Sequence, residues 1–137
     1  MKSFRDLIII KTEEQEEIVN ITQKVREMCR KSGIKEGLII VFSHHTSSAI
    51  YISDSDFRLT RDYQKILNRL VPNNDYEHDC VDHKKNAAGH LKSVLNGLQV
   101  IVPITSGELD LGAYQTIYYV EFDGKREKEI LVKIIGE

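Results

Sequence analysis

The longest uninterrupted apolar run in this chain, Leu38 to Phe42, has five residues. That is far short of the roughly 20 a helix needs to cross a bilayer, so no membrane span is expected. The run suits a central strand buried on both faces, and the rest of the chain must fold around it. Leu7-Ile8-Ile9-Ile10 reads as another strand, and Ala49 to Ile52 continues extended structure after the polar break Ser43-His44-His45-Thr46-Ser47-Ser48. At 137 residues one core is expected, burying about two-thirds of the unfolded chain's surface, and hence one domain over 1–137.

Helices are predicted between these strands. Thr12 followed by Gln15 has the form of a capping box, and Ile18, Ile21, Val25, Met28 and Cys29 recur at spacings of three and four up to the stop at Gly33. A second helix is predicted to start near Asp56, to carry Leu59, Tyr63, Ile66, Leu67 and Leu70 inward, and to end before Pro72. A third runs from its cap Asn86 to Asn96, with Leu91, Val94 and Leu95 on one face and Gly97 as terminator. Between the last two lies a polar stretch of thirteen residues, Asn73 to Lys85, a length typical of functional or mobile loops. The C-terminal third reads as antiparallel sheet: Gln99 to Ile104, a turn at Ser106-Gly107, Leu109 to Phe122, an Asp123-Gly124 hairpin, and Glu129 to Ile135. The fold class is therefore α+β, about three helices packed on an extended mixed or antiparallel β-sheet.

Charge narrows the function. Lys plus Arg total 19 against Asp plus Glu 21, a balance of −2, so there is no broad basic field for nucleic acid and a small ligand is the expected partner. Two cysteines, Cys29 and Cys80, are too few for a disulfide framework, and Met1 to Asp6 carries no secretory signal, so the chain is read as cytoplasmic.

All five histidines, His44, His45, His78, His83 and His90, fall in the middle third. Imidazole serves both as transition-metal ligand and as proton carrier near neutral pH, so three converging histidines could hold Zn²⁺ with one position open. If the Ser43–Ser48 segment continues its strand, His44 and His45 point to opposite faces, and His45 is the one taken for the site. Thr46, Ser47 and Ser48, together with the N–H groups opening the helix at Asn86, would suit a phosphate. Cys80 is a possible soft-metal ligand, and Asp75, Glu77, Asp79 and Asp82 form either a solvated acidic loop or a hard-cation site. Gln115 and Glu121, six positions apart, share one face of a regular strand, as pocket wall or as solvent face.

Several separated motifs, in order along nearly the whole chain, resemble the YjbQ-like proteins. They are His45-Thr46-Ser47-Ser48-Ala49-Ile50, Tyr76-Glu77-His78, Asn86-Ala87-Ala88-Gly89-His90-Leu91-Lys92-Ser93, Val102-Pro103-Ile104, Gly107-Glu108-Leu109-Asp110-Leu111-Gly112, Gln115, and Glu121-Phe122-Asp123-Gly124-Lys125-Arg126. The chain departs from that pattern at Tyr114, where tryptophan is usual, Ala113, where threonine is usual, and Asp54, where glutamate is usual. The resemblance implies a compact α+β fold, a homotrimer, and a polar pocket receiving His45, His78 and His90, with Gln115 and Glu121 matching the family's glutamine and glutamate. Members are often labelled secondary thiamine-phosphate synthases, which join hydroxymethylpyrimidine diphosphate to a thiazole phosphate and release pyrophosphate. On that basis His45, His78, His90 and Glu121 are the expected catalytic residues, and Thr46, Ser47, Asn86 and Gln115 the expected substrate- and phosphate-binding ones. A divalent metal, Mg²⁺ or Zn²⁺, would be held by His45, His78 and His90, with Glu121 neutralising a histidine or the metal. Two other readings compete: a Zn²⁺-dependent hydrolase or lyase using the three histidines, and a non-catalytic module that binds metal or ligand in the same pocket.

Overall fold

The computed structural model describes residues 1–81 and 83–137. Among these the elements run β1 (Lys2–Lys11), β2 (Glu17–Asn20), α1 (Thr22–Ser32), β3 (Gly37–Ser43), β4 (Ser48–Ser53), α2 (Phe57–Leu70), a 3₁₀ turn (Glu77–Cys80), α3 (Ala87–Asn96), β5 (Gln99–Thr105), β6 (Glu108–Leu109), β7 (Thr116–Glu121) and β8 (Glu127–Gly136). The strands form two antiparallel sheets, one of five in the order β1-β8-β3-β5-β6 and one of three in the order β2-β7-β4. No helix among the described residues is long and apolar enough to cross a membrane.

The two-residue period of the strands stacks the layers. Ile8 and Ile10 of β1, Ile39 and Val41 of β3, Val102 and Ile104 of β5, and Ile130, Val132 and Ile134 of β8 meet Ile50 of β4 and Ile117 and Tyr119 of β7, with Ile21, Val25 and Cys29 closing one side. The other face of the three-stranded sheet, through Ala49, Val120 and Phe122, packs on Leu67 of α2. β7 is therefore covered on both faces, which is why all six of its residues are buried. The α+β class and antiparallel pairing agree with expectation.

Four local expectations are corrected. Glu17–Asn20 is a strand on the edge of β7, with Val19 turned to the main core and Ile18 to the helix side. The β-branched pair satisfies a sheet edge there, and the helix begins only at Thr22, whose N–H donates to Asn20 Oδ1. α2 starts at Asp56 as predicted, its carboxylate accepting the Arg58 N–H, but among its residues only Leu67 is buried, and Leu59, Ile66 and Leu70 are exposed. α3 is turned over as well: Ala87, Ala88, Gly89, Lys92 and Ser93 face inward, while Leu91, Val94 and Leu95 are exposed. Its small side chains let it lie close to β4, an approach that leucines would prevent.

The C-terminal strands, finally, do not form a meander. Leu109 to Phe122 divides into β6 and β7, which belong to different sheets, and Asp123-Gly124 crosses between sheets from β7 to β8. Gly124 is needed at this crossing, because a Cβ would strike Glu14 O and Thr12 Oγ1.

Gly37 is equally constrained, since a Cβ there would overlap the Ile135 carbonyl and crowd Gly136 in the neighbouring strand. Gly37→Ala is expected to lower the unfolding free energy by about 3 kcal/mol, as read by urea denaturation.

Candidate functional site

The link from Ser43 to Ser48 carries the chain from the five-stranded to the three-stranded sheet and turns His45, Thr46 and Ser47 to one end of the sandwich. The β7–β8 crossing delivers Asp123 and Arg126 to the same end, and α3 delivers Asn86 and His90. Together with Lys84, Glu127 and Lys128 these side chains line a cleft of about 340 Å³. Gly89 sets how closely α3 approaches, for a Cβ at that position would lie 3.2 Å from Phe122 Cβ and 3.5 Å from Ser47 Cβ. One residue on, His90 Nδ1 lies 2.7 Å from Ser47 Oγ and 3.0 Å from the Thr46 carbonyl.

These contacts assign the imidazole roles. A carbonyl oxygen only accepts, so His90 Nδ1 carries the proton, shared between Thr46 O and Ser47 Oγ, and in the neutral ring Nε2 keeps its lone pair. His45 is the reverse: its Nε2 accepts the Glu129 N–H at 2.8 Å, so Nδ1 is protonated. Burial pushes the His45 pKa down, and the Lys128 charge adds to the effect against the opposing pull of Glu121 and Glu129. The strand ends at Ser43, so alternation does not extend to His44, which turns away with Nδ1 3.3 Å from Glu129 Oε2. His78 comes from the 3₁₀ turn, its ring edge-to-face with that of His90 at 5.1 Å between centroids and its Nδ1 3.5 Å from Asp79 Oδ1.

Asn86 stands at the start of α3 but makes no side-chain cap. Asp79 reaches across from the long loop instead and accepts the Ala87 N–H at 3.0 Å, an acid placed favourably at the positive end of the helix. The acidic-loop expectation thus resolves for Asp79 into a helix contact; Asp82 lies outside the described residues, and Cys80 is exposed with Sγ 3.8 Å from the Tyr76 carbonyl. The Asn86 amide donates to Asp123 Oδ2 at 3.0 Å, while its own Oδ1 is buried with no partner among the described residues. Asp123 also accepts from Gln15 at 3.0 Å and from Arg126 at 2.6 Å. Burial alone would raise the Asp123 pKa; the Asn86 and Gln15 hydrogen bonds, with the Arg126 and Lys128 charges, hold it below the usual carboxylate range.

Glu121 is wholly buried behind the cleft. It accepts the Tyr119 O–H at 2.7 Å, the Asp123 N–H at 3.0 Å and Lys128 Nζ at 2.8 Å. The hydroxyls of Ser43 and Ser48 are joined at 2.5 Å beside it. Gln115 does not share its surroundings: the residue precedes β7, is exposed, and accepts the Gly112 N–H at 2.7 Å through Oε1. Six positions apart, they are separated by about 20 Å of extended chain.

The structure thus brings together His45, Thr46, Ser47, Asn86 and His90, sets His78 against His90, buries Glu121 beneath, and leaves Gln115 and His83 outside the cleft lining. Sequence reasoning missed Asp123, Arg126 and Lys128. For Lys128 a signal existed, since it is in phase with Ile130, Val132 and Ile134 on the inward face of β8. The histidines as arranged do not fit a three-histidine metal centre, because the Glu129 N–H occupies His45 Nε2, and among the described residues no three His, Cys, Asp or Glu side chains are placed to hold a metal ion.

The family model described as "UPF0047 protein YjbQ-like" matches residues 6–137. A UPF0047 protein of Archaeoglobus fulgidus is 39% identical over 129 residues, covering 93% of this chain and 98% of the relative. Another from Methanothermobacter thermautotrophicus is 36% identical over 138 residues, covering 100% and 95%. The crystal structure of a protein of unknown function from Sulfolobus solfataricus P2 superposes with a TM-score of 0.95 at 33% identity, covering 99% of each chain.

His45 gives the site a pH dependence with a definite sign. With a folded pKa below the ordinary 6.5, the ring favours folding fully above that value, and the contribution is lost as pH falls toward the folded pKa. Urea unfolding at about pH 7.5 and about pH 5.5 is expected to show a loss of stability on acidification that His45→Gln reduces, because glutamine accepts the Glu129 N–H without titrating.

Proposed function

The chain belongs to the YjbQ-like UPF0047 family, and from that premise we propose that its cleft binds a phosphorylated small molecule and displaces a diphosphate, as in thiamine phosphate synthesis. One observation carries this reading: three basic side chains, Lys84, Arg126 and Lys128, against two carboxylates, Asp123 and Glu127, line the same cleft as the Ser47–His90 pair. Glu121 beneath balances the Lys128 charge, and the wall presents the N–H groups of Arg126 and Lys128 with the hydroxyls of Thr46 and Ser47, a donor set suited to an anion's oxygens.

In this reading the thiazole nitrogen attacks the pyrimidine methylene carbon as its bond to the diphosphate oxygen breaks, and pyrophosphate leaves. His90, with its Nδ1 proton held by Thr46 and Ser47, presents Nε2 to the cleft; in the doubly protonated ring Nε2–H gives its proton to the leaving diphosphate oxygen, and the ring returns to the neutral Nδ1–H form. His78 orders the His90 ring by edge-to-face contact. His45 is a fixed, neutral wall, since its Nε2 is spent on the main chain.

The homotrimer belongs to the same proposal. Phe57 and Leu70 of α2 and Val94 and Leu95 of α3 are each more than half exposed, and faces of this kind are covered by association with further copies.

Two measurements test the reading. Incubation with hydroxymethylpyrimidine diphosphate and thiazole phosphate is expected to yield thiamine phosphate and pyrophosphate, with His90→Ala reducing the rate about 100-fold; absence of product together with absence of pyrophosphate binding would overturn it. Sedimentation equilibrium is expected to return three times the chain mass for the native protein and a lower mass for the Val94→Asp, Leu95→Asp double variant; a native monomer would refute the assembly.

A further inference from the structure

Lys128 is a charged residue on the apolar phase of β8, only 5% exposed, yet it forms part of the cleft wall. Its ammonium has three N–H donors. Glu121 Oε2 takes one at 2.8 Å and the Asp123 carbonyl takes a second at 3.1 Å. Among the described residues no protein acceptor meets the third. Glu121 is itself fully engaged, so its charge holds the ammonium in place without being drawn away from it.

The third N–H of an ammonium fixed by two protein acceptors at the cleft wall is a donor that a ligand oxygen can accept from. The other cations of the cleft differ from it. Arg126 is half exposed and tied to Asp123 at 2.6 Å, and Lys84 is exposed to solvent. Water screens those two charges; the Lys128 charge is balanced by Glu121 at 2.8 Å, and what Lys128 offers an anion is an N–H donor held in a fixed position in a low-dielectric floor, where a hydrogen bond is stronger than in water. Burial first, and the Lys128 charge second, lower the proton affinity of His45 in the same cleft lining.

We infer that Lys128 is the principal anion-binding residue of the cleft, giving its third N–H to a phosphate oxygen of the ligand. This rests on the reading of the cleft as a site for phosphorylated molecules, and it assigns the main affinity for the anion to a residue outside the histidine set.

The probe is inorganic pyrophosphate, measured by isothermal titration calorimetry on the full chain. Lys128→Met alone would strand the buried Glu121 charge and risk unfolding, so it is paired with Glu121→Gln, and Glu121→Gln alone serves as the reference; cooperative thermal melting verifies that each is folded. The native protein and Glu121→Gln are expected to bind within about tenfold of each other, and the double variant about 100-fold more weakly. Arg126→Met is expected to lose about tenfold or less, as befits a screened charge. Double-variant binding within about threefold of Glu121→Gln, or a loss in Glu121→Gln as large as in the double variant, would overturn the assignment. If pyrophosphate still binds the native protein in that case, the phosphorylated-ligand reading stands without Lys128. Failure of the native protein to bind pyrophosphate would remove both.

Discussion

The Glu121–Lys128 ion pair clips the two sheets together where the cleft opens. Glu121 ends β7 of the three-stranded sheet and Lys128 lies near the start of β8 in the five-stranded one, so the contact at 2.8 Å spans the interior of the sandwich. Charges this deep are tolerated only when their remaining hydrogen-bonding capacity is met, and Tyr119, the Asp123 N–H and the Asp123 carbonyl meet most of it. Burial, reinforced by the Glu121 charge, pushes the Tyr119 phenol far above its ordinary value, so it stays a donor at any physiological pH. The crossing from β7 to β8 is held in register by this network, and with it Asp123 and Arg126.

The helices serve the site by a different rule. α3 approaches β4 through alanine, glycine and serine, and that closeness brings His90 within hydrogen-bond reach of Ser47. Lys92 is almost wholly buried in the same face, where it meets Glu16 at 2.7 Å and Asn68 at 2.6 Å, with its ammonium over the Phe122 ring. It ties α3 to α2 and to the β1–β2 connection. The larger apolar residues of α3, Leu91, Val94 and Leu95, are left outward. Asp79 adds a tie from the long loop to the first turn of α3, next to His78.

Much of this architecture could be read from residues near one another in the chain. The β-branched run at Leu38–Phe42 became β3, Asp56 capped α2, and Gly33, with φ of +72°, ended α1. Each depends on local sterics or on a hydrogen bond a few residues long. Elsewhere local pattern misled. Ile18 and Ile21 share a helical spacing, yet Ile18 lies in a strand, because the edge of β7 offered partners that an isolated segment cannot foresee. The face of α3 was reversed, and that of α2 was narrowed to Tyr63 and Leu67, because apolar periodicity reports that a stripe exists, not which neighbour covers it. The motif histidines were found by resemblance, but their protonation was not, since main-chain groups at Glu129 and Thr46 set it.

From its residues alone this chain settles β1, β3, β4, β5 and β8, most of its helix ends, and its family, because each of those is written in short-range sterics or in motifs that survive in order. Tertiary structure alone decides that Lys128 and Glu121 meet, that Asp79 caps a helix eight residues away, and that Gln115 and Glu121 are held apart. Those outcomes depend on which strand crosses to which sheet. A crossing joins groups remote in sequence, and no spacing along the chain encodes their separation in space.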